Sequence, residues 1–169
     1  MKTFGGPALF LDRSDINTDE IIPAKYLTEN SKPALQPYIL EDLKLPHFKS
    51  DIRKSRVIVT RANFGCGSSR EHAVWVFEVN DINVVIGESF ARIFRQNMFN
   101  CGMLAIELPR EEIDLIFGLG NEVTISVDLD KNRLTARGKE EMQFDFILNP
   151  FDRDLVMAGG WLAYADKNY

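Results

Sequence analysis

Two short runs and the segment between them decide the architecture: Asn83-Val84-Val85-Ile86-Gly87, then Ala91 to Cys101, then Met103-Leu104-Ala105-Ile106-Glu107-Leu108. Both runs are aliphatic and β-branched with little polar alternation, as strands covered on two faces require. The intervening segment puts Ala91, Phe94, Met98 and Cys101 on one helical face, and Gly102 stands where the helix should end. Strand, helix, strand implies parallel neighbours joined by a right-handed crossover. Upstream, Arg56-Val57-Ile58-Val59-Thr60 supplies another buried strand. Residues 73–79 are β-branched and aromatic, which suits a strand. Ser68 and Glu71, however, have capping-box spacing just before them, and the spacing predicts a buried helix opened by Ser68.

Outward from this middle, the chain changes character at both ends. Ala8 to Leu11 reads as a short strand, and Asp12 to Glu20 is polar and rich in residues that bond their own backbone, which favours turns over regular structure. Pro23 stops any helix that might include it, and Pro33, Pro37 and Pro46 keep the following region segmented. Downstream, Pro109 to Gly118 reads as a helix. Val123, Ile125, Val127 and Leu129 alternate with polar residues as in a half-exposed strand. Asp130 to Arg133 is a hairpin turn leading to strands at 134–137 and 142–147. A helical region from Asp152 to about Ala165 is interrupted by Gly159-Gly160. With no repeat and no linker, residues 1–169 are expected to form one α/β domain: a mostly parallel central sheet with an added antiparallel layer.

Composition excludes several functions. The 169 residues are 45% hydrophobic and 27% charged, enough apolar material for one real core. A net charge of −5 argues against a nucleic-acid partner, which wants a basic surplus or stripe. The densest basic stretch, Lys49 to Arg56, contains an aspartate and reads as a solvated turn. No apolar run approaches the roughly 20 residues needed to cross a bilayer, and Ala8–Leu11 is too short for a signal peptide. The expectation is a cytoplasmic protein with no membrane partner. The two cysteines, Cys66 and Cys101, lack metal-ligand spacing. With His47 and His72 they are too few and too scattered for a zinc site, and an iron–sulfur cluster wants at least three thiolates. A disulfide is not expected in a reducing compartment.

Chemistry concentrates in Gly65-Cys66-Gly67-Ser68-Ser69-Arg70-Glu71. Glycines admit close backbone approach, a helix start opened by Ser68 would point free N–H groups at an anion, and Arg70 adds a planar fork suited to a carboxylate. Three alternatives stand. Ser68 is a helix cap and Arg70 a surface charge; or the loop holds a nucleotide phosphate; or it is the carboxylate site of an enzyme. The dinucleotide pattern lacks its third glycine and the Walker pattern its Gly-Lys-Ser/Thr ending, so the second matches poorly. A serine nucleophile elbow is also absent, since Gly67-Ser68-Ser69 does not continue to glycine at the required spacing. His72 would sit a turn away from Ser68, a weak basis for a Ser-His pair.

At these residues the sequence resembles the swivel domain of the aconitase superfamily, in particular the small subunits of the bacterial isopropylmalate isomerases. Three blocks carry the likeness, in family order: Asp15-Ile16-Asn17-Thr18-Asp19-Glu20-Ile21-Ile22-Pro23-Ala24-Lys25-Tyr26-Leu27; Asn63-Phe64-Gly65-Cys66-Gly67-Ser68-Ser69-Arg70-Glu71-His72-Ala73; and Ser89-Phe90-Ala91-Arg92-Ile93-Phe94-Arg95-Gln96-Asn97-Met98-Phe99-Asn100-Cys101-Gly102.

The resemblance implies an aconitase-like swivelling β/β/α three-layer domain. It implies a hydro-lyase active only with a cysteine-rich large subunit that carries a [4Fe-4S] cluster; this chain binds no cofactor or metal of its own. A small diacid would be the substrate. By motif, Ser68 resembles the catalytic base, Ser69 and Arg70 resemble carboxylate-binding residues, and Asp19 matches an acidic active-site position. Lys25, Tyr26, Leu27 and Thr28, followed by Glu29, lie where the family varies with the substrate's third substituent. Relatives acting on tricarboxylates place an arginine there, and this sequence has none between Arg13 and Arg53. Tyr26 and Leu27 suit an alkyl group, so isopropylmalate is expected; a 2,3-dimethylmalate or homoaconitase type, or a non-catalytic anion-binding subunit, are the alternatives. An apolar docking surface would encourage self-association of isolated copies.

Overall fold

Alternation and apolar runs become strands where the sequence places them. The computed structural model describes residues 2–169. Strands β2 (Val57–Val59), β3 (Val84–Gly87) and β4 (Leu104–Glu107) are buried almost throughout, and they pair in parallel, with Val57 opposite Val84 and Val84 opposite Leu104. The half-exposed pattern instead gives β5 (Thr124–Asp128), β6 (Arg133–Arg137) and β7 (Glu141–Asp145), an antiparallel ladder with Ile125, Leu134, Ala136 and Phe144 turned inward.

One strand joins the two regimes. The second half of β1 (Gly5–Phe10) pairs in parallel with β2, Ala8 opposite Val57, while its first half pairs antiparallel with β5, Gly5 opposite Ser126. The spatial order is therefore β4-β3-β2-β1-β5-β6-β7, a parallel part extended by the antiparallel layer.

Helices connect and cover the parallel part. α2 (His72–Glu78) buries Ala73, Val74, Val76 and Phe77, so the 73–79 segment is a helix packed on most sides despite its strand-like composition. α3 (Arg92–Asn100) buries Phe94, Met98 and Phe99, and its end turns at Gly102, whose N–H bonds Phe99 O at 2.9 Å. α4 (Arg110–Phe117), α5 (Pro150–Ala158) and α6 (Trp161–Asn168) follow, the last two separated by Gly159 and Gly160 at positive φ. α5 is capped by Asn149, whose side chain accepts from Phe151 N at 2.8 Å.

Two local expectations are corrected. Ser68 does not cap α2: the helix starts at His72, Glu71 sits at its N-cap with helical backbone angles, and no side chain caps it. Ser68 and Arg70 instead close their own turn, Arg70 N to Ser68 O at 3.0 Å, and this uses the residues a capping box would need. The polar run at 12–20 is not all turn, either. It ends in a one-turn helix, α1 (Thr18–Ile21), held by a capping box between Asn17 and Glu20. That box needs a side chain that favours caps followed three residues later by glutamate, which Asn17 and Glu20 supply.

Phe64 holds the exits of the parallel strands together. It is 1% exposed, and its ring meets Phe77, Phe90 and Phe94 at centroid distances of 6.0, 6.3 and 5.4 Å, joining α2, the β3 exit and α3. Removing such a ring costs the transfer energy and leaves a cavity. Phe64→Ala is expected to lower unfolding free energy by about 3–5 kcal/mol, and Phe64→Leu by much less, as read from denaturant midpoints.

Candidate active site

In a parallel sheet the loops leaving the C-terminal strand ends lie side by side, and ligands bind outside them. Here the loops after β1, β2 and β3 carry the three blocks. They continue past the strands as a narrow backbone ladder. Asp15 N donates to Ala62 O at 2.9 Å, Gly65 N to Ile16 O at 2.8 Å and Thr18 N to Cys66 O at 2.8 Å. On the other side Phe64 N donates to Ser89 O at 3.2 Å and Ala91 N to Phe64 O at 3.0 Å. Segments remote in sequence thus meet at one edge.

Two glycines make that approach possible. Gly65 has φ +82°, and a Cβ there would stand 2.2 Å from the Phe94 ring. Gly67 has φ +92°, a left-handed conformation that L side chains avoid. The turn that follows them presents Ser68 and Ser69 to solvent and leaves Arg70 half-buried.

These residues line a cavity of about 200 Å³ with Thr18, Ala91, Arg92, Ile93 and Phe94. At roughly 30 Å³ per water this holds six or seven waters, the scale of a small acid rather than a nucleotide. The first block enters through Asp19, whose Oδ1 accepts from Arg70 Nη1 at 2.5 Å. Arg70 forms no other side-chain hydrogen bond among the described residues, so one edge of its fork remains for a carboxylate.

The structure thus brings Ser68, Ser69, Arg70 and Asp19 together. Lys25, Tyr26, Leu27 and Thr28 do not line this cavity. Tyr26 stacks on Tyr38 at 3.9 Å and Lys25 Nζ lies 5.2 Å from the Tyr26 ring centre. The neighbouring Glu41 carboxylate, with a smaller contribution from burial, pushes the Tyr26 phenol up to about 12. The stretch is tied toward α2 through Glu29 O, 3.2 Å from His72 Nε2.

Sequence reasoning did not single out Thr18, Ala91, Arg92, Ile93 or Phe94 as site residues. The signal was their place in blocks that follow β1 and β3, at the C-terminal edge where parallel sheets bind ligands. A larger groove of about 860 Å³ lies at the opposite ends of the parallel strands, but its charges are of both signs, with Lys2 and Glu78 paired at 2.9 Å.

The chain's own donors do not fit an iron–sulfur cluster, because two cysteines cannot supply three thiolates. Both thiols are also held protonated. Burial, then the Asp15 carboxylate, pushes Cys66 up, and burial raises Cys101 to about 11.

An aconitase C-terminal domain profile matches residues 11–111. Relatives include the 3-isopropylmalate dehydratase small subunit of Aliarcobacter butzleri, 38% identical over 90% of this chain and 88% of that protein. Small subunit 2 of Deinococcus radiodurans is 41% identical over 90% of this chain and 71% of its own length. The crystal structure of 3-isopropylmalate dehydratase from Methanocaldococcus jannaschii superposes with a TM-score of 0.82 at 32% identity, covering 97% of this chain and 93% of that one. The chain belongs to the aconitase C-terminal domain family and, within it, to the 3-isopropylmalate dehydratase small subunits. Its fold is that family's swivel-domain α/β architecture.

Glu20 ties the first loop together just before α1. It bonds Asn17 N at 3.2 Å and pairs with Arg13. The Arg13 hydrogen bond holds its carboxyl below the usual range, against an opposing effect of burial. Because the folded pKa lies below the unfolded one, this stabilisation is complete above the unfolded value and is lost as pH falls through the folded one. Amide NMR signals of Asn17 and Glu20 are expected to move together on acidification below about pH 4.5. Glu20→Gln should make them insensitive to pH over that range.

Proposed function

We propose that this chain is the small subunit of a two-chain hydro-lyase that interconverts 2-isopropylmalate and 3-isopropylmalate by dehydration and rehydration, in the cytoplasm, within leucine biosynthesis. The supporting observation is the convergence of Ser68, Ser69 and Arg70 on one small cavity, with Asp19 bonded to Arg70 from outside it, in a chain whose relatives are 3-isopropylmalate dehydratase small subunits.

Ser68 is the base. Its Oγ takes the proton from the carbon adjacent to a substrate carboxylate, and the electron pair left behind forms the double bond as hydroxide departs from the neighbouring carbon. An unperturbed serine hydroxyl is a feeble base, so its ionised form needs nearby positive potential. The Arg70 guanidinium lies in the same cavity, and so does the opening of α3. Ser69 and the free edge of Arg70 hold a carboxylate, and Asp19 fixes the guanidinium plane through its 2.5 Å bond. A [4Fe-4S] cluster on a cysteine-rich large subunit would supply, when bound, the Lewis acid that engages substrate hydroxyl and carboxylate.

Ser68 and Ser69 are exposed, so the described residues leave the reacting groups uncovered, which supports half a site completed by a partner. The Lys25–Thr28 stretch lies outside the cavity, and its lack of arginine disfavours a substrate with a third carboxylate.

With the large subunit present, Ser68→Ala should cut turnover about 100- to 10,000-fold while the two chains still co-purify. Unchanged turnover would make this a non-catalytic anion-binding subunit. Preference of the wild-type pair for a tricarboxylate or for 2,3-dimethylmalate would reassign the substrate.

A further inference from the structure

We propose that Thr18 Oγ and the N–H groups opening α3 form a carboxylate subsite in the cavity, separate from Arg70, that takes the second carboxylate of a small diacid. The proposal rests on the diacid function above.

Thr18 is 1% exposed and its hydroxyl has no hydrogen-bond partner, although it lines the cavity. A buried hydroxyl without a partner is costly unless something else completes it. The next residue of the opposing loop leaves room for a visitor: even a Cβ on Gly67 would stand 3.5 Å from Thr18 Oγ1, and glycine carries none.

Facing it is α3, nine residues long. Ala91 N donates to Phe64 O and Arg95 N to Ala91 O, so the N–H groups of Arg92, Ile93 and Phe94 between them have no backbone acceptor. No side chain caps them, and the first turn has no acidic residue but a cation, Arg92. A cation there opposes the helix dipole, and a bound anion relieves both.

Three N–H donors, one hydroxyl and a nearby guanidinium, with no acidic side chain lining the cavity, suit a carboxylate. Ile93, 47% exposed and on the same wall, offers apolar surface beside it.

Amide NMR of the 169-residue chain with 2-isopropylmalate as the probe tests this without the partner. The Arg92, Ile93 and Phe94 amides should shift and saturate, and acetate should move the same amides with weaker affinity. Thr18→Val should weaken isopropylmalate binding about tenfold, and Thr18→Ser should restore it. The same Thr18→Val chain should melt at an equal or higher temperature, since it loses only an unpartnered buried hydroxyl. Opposite signs for binding and stability are not expected of a purely structural threonine.

Unmoved α3 amides, or equal affinity in wild type and Thr18→Val, would overturn the subsite. Inorganic phosphate binding more tightly than acetate at these amides would overturn its assignment to carboxylate. If the subsite behaves as described while the reconstituted pair fails to process isopropylmalate, the proposed reaction falls and the subsite stands. If the pair turns over isopropylmalate while the α3 amides stay unmoved, the reaction stands and the subsite falls.

Discussion

The site depends on a few backbone hydrogen bonds made beyond the ends of the parallel strands. Gly65 N to Ile16 O and Thr18 N to Cys66 O clamp the first loop to the second, and Ala91 N to Phe64 O clamps the second to the third. Main-chain bonds fix positions with little regard to side chain, so the reactive turn can be set by register and needs specificity from few residues. Phe64, buried within the second segment, packs its ring against Phe90 and Phe94 of the third. Gly65 completes the arrangement by letting the loop lie against the Phe94 ring.

The shared first strand belongs to the same logic. β1 serves β2 with one half and β5 with the other, so the antiparallel ladder braces the strand whose exit carries Thr18 and Asp19. The loops are thereby displayed on a stiff edge, with the added layer well away from the cavity. Positive potential at that edge, from Arg70, Arg92 and the start of α3, is local: the whole chain carries −5. A small anion is drawn to the cleft without a generally basic surface that would attract polyanions.

Much of this was legible in the sequence, and the failures have physical causes. β2, β3 and β4 announce themselves because strands buried on both faces must be apolar throughout, and β5 because one face meets water. The helix at 72–78 is readable, but the cap its sequence suggests is not the one that forms. Ser68 and Glu71 satisfy the spacing rule, yet left-handed backbone at Gly67 turns the chain before it can become helical. The Asn17–Glu20 box is masked, although its spacing is equally regular, because the surrounding polar run resembles a loop. Ser68, Ser69, Arg70 and Asp19 stand out through side-chain chemistry and family likeness. Thr18 and the opening of α3 do not: a hydroxyl left without a partner and three N–H groups left without acceptors are properties of assembled geometry. The stacking of Tyr26 on Tyr38 is hidden for the same reason, since two aromatics in an irregular segment give no periodicity to read.

The sulfur atoms carry a last consequence. With Cys66 raised by burial and Cys101 held near 11, both remain thiols rather than thiolates at neutral pH. The thiolate is the form that attacks peroxide, alkylating agents and disulfides, so at neutral pH both sulfurs are weak nucleophiles.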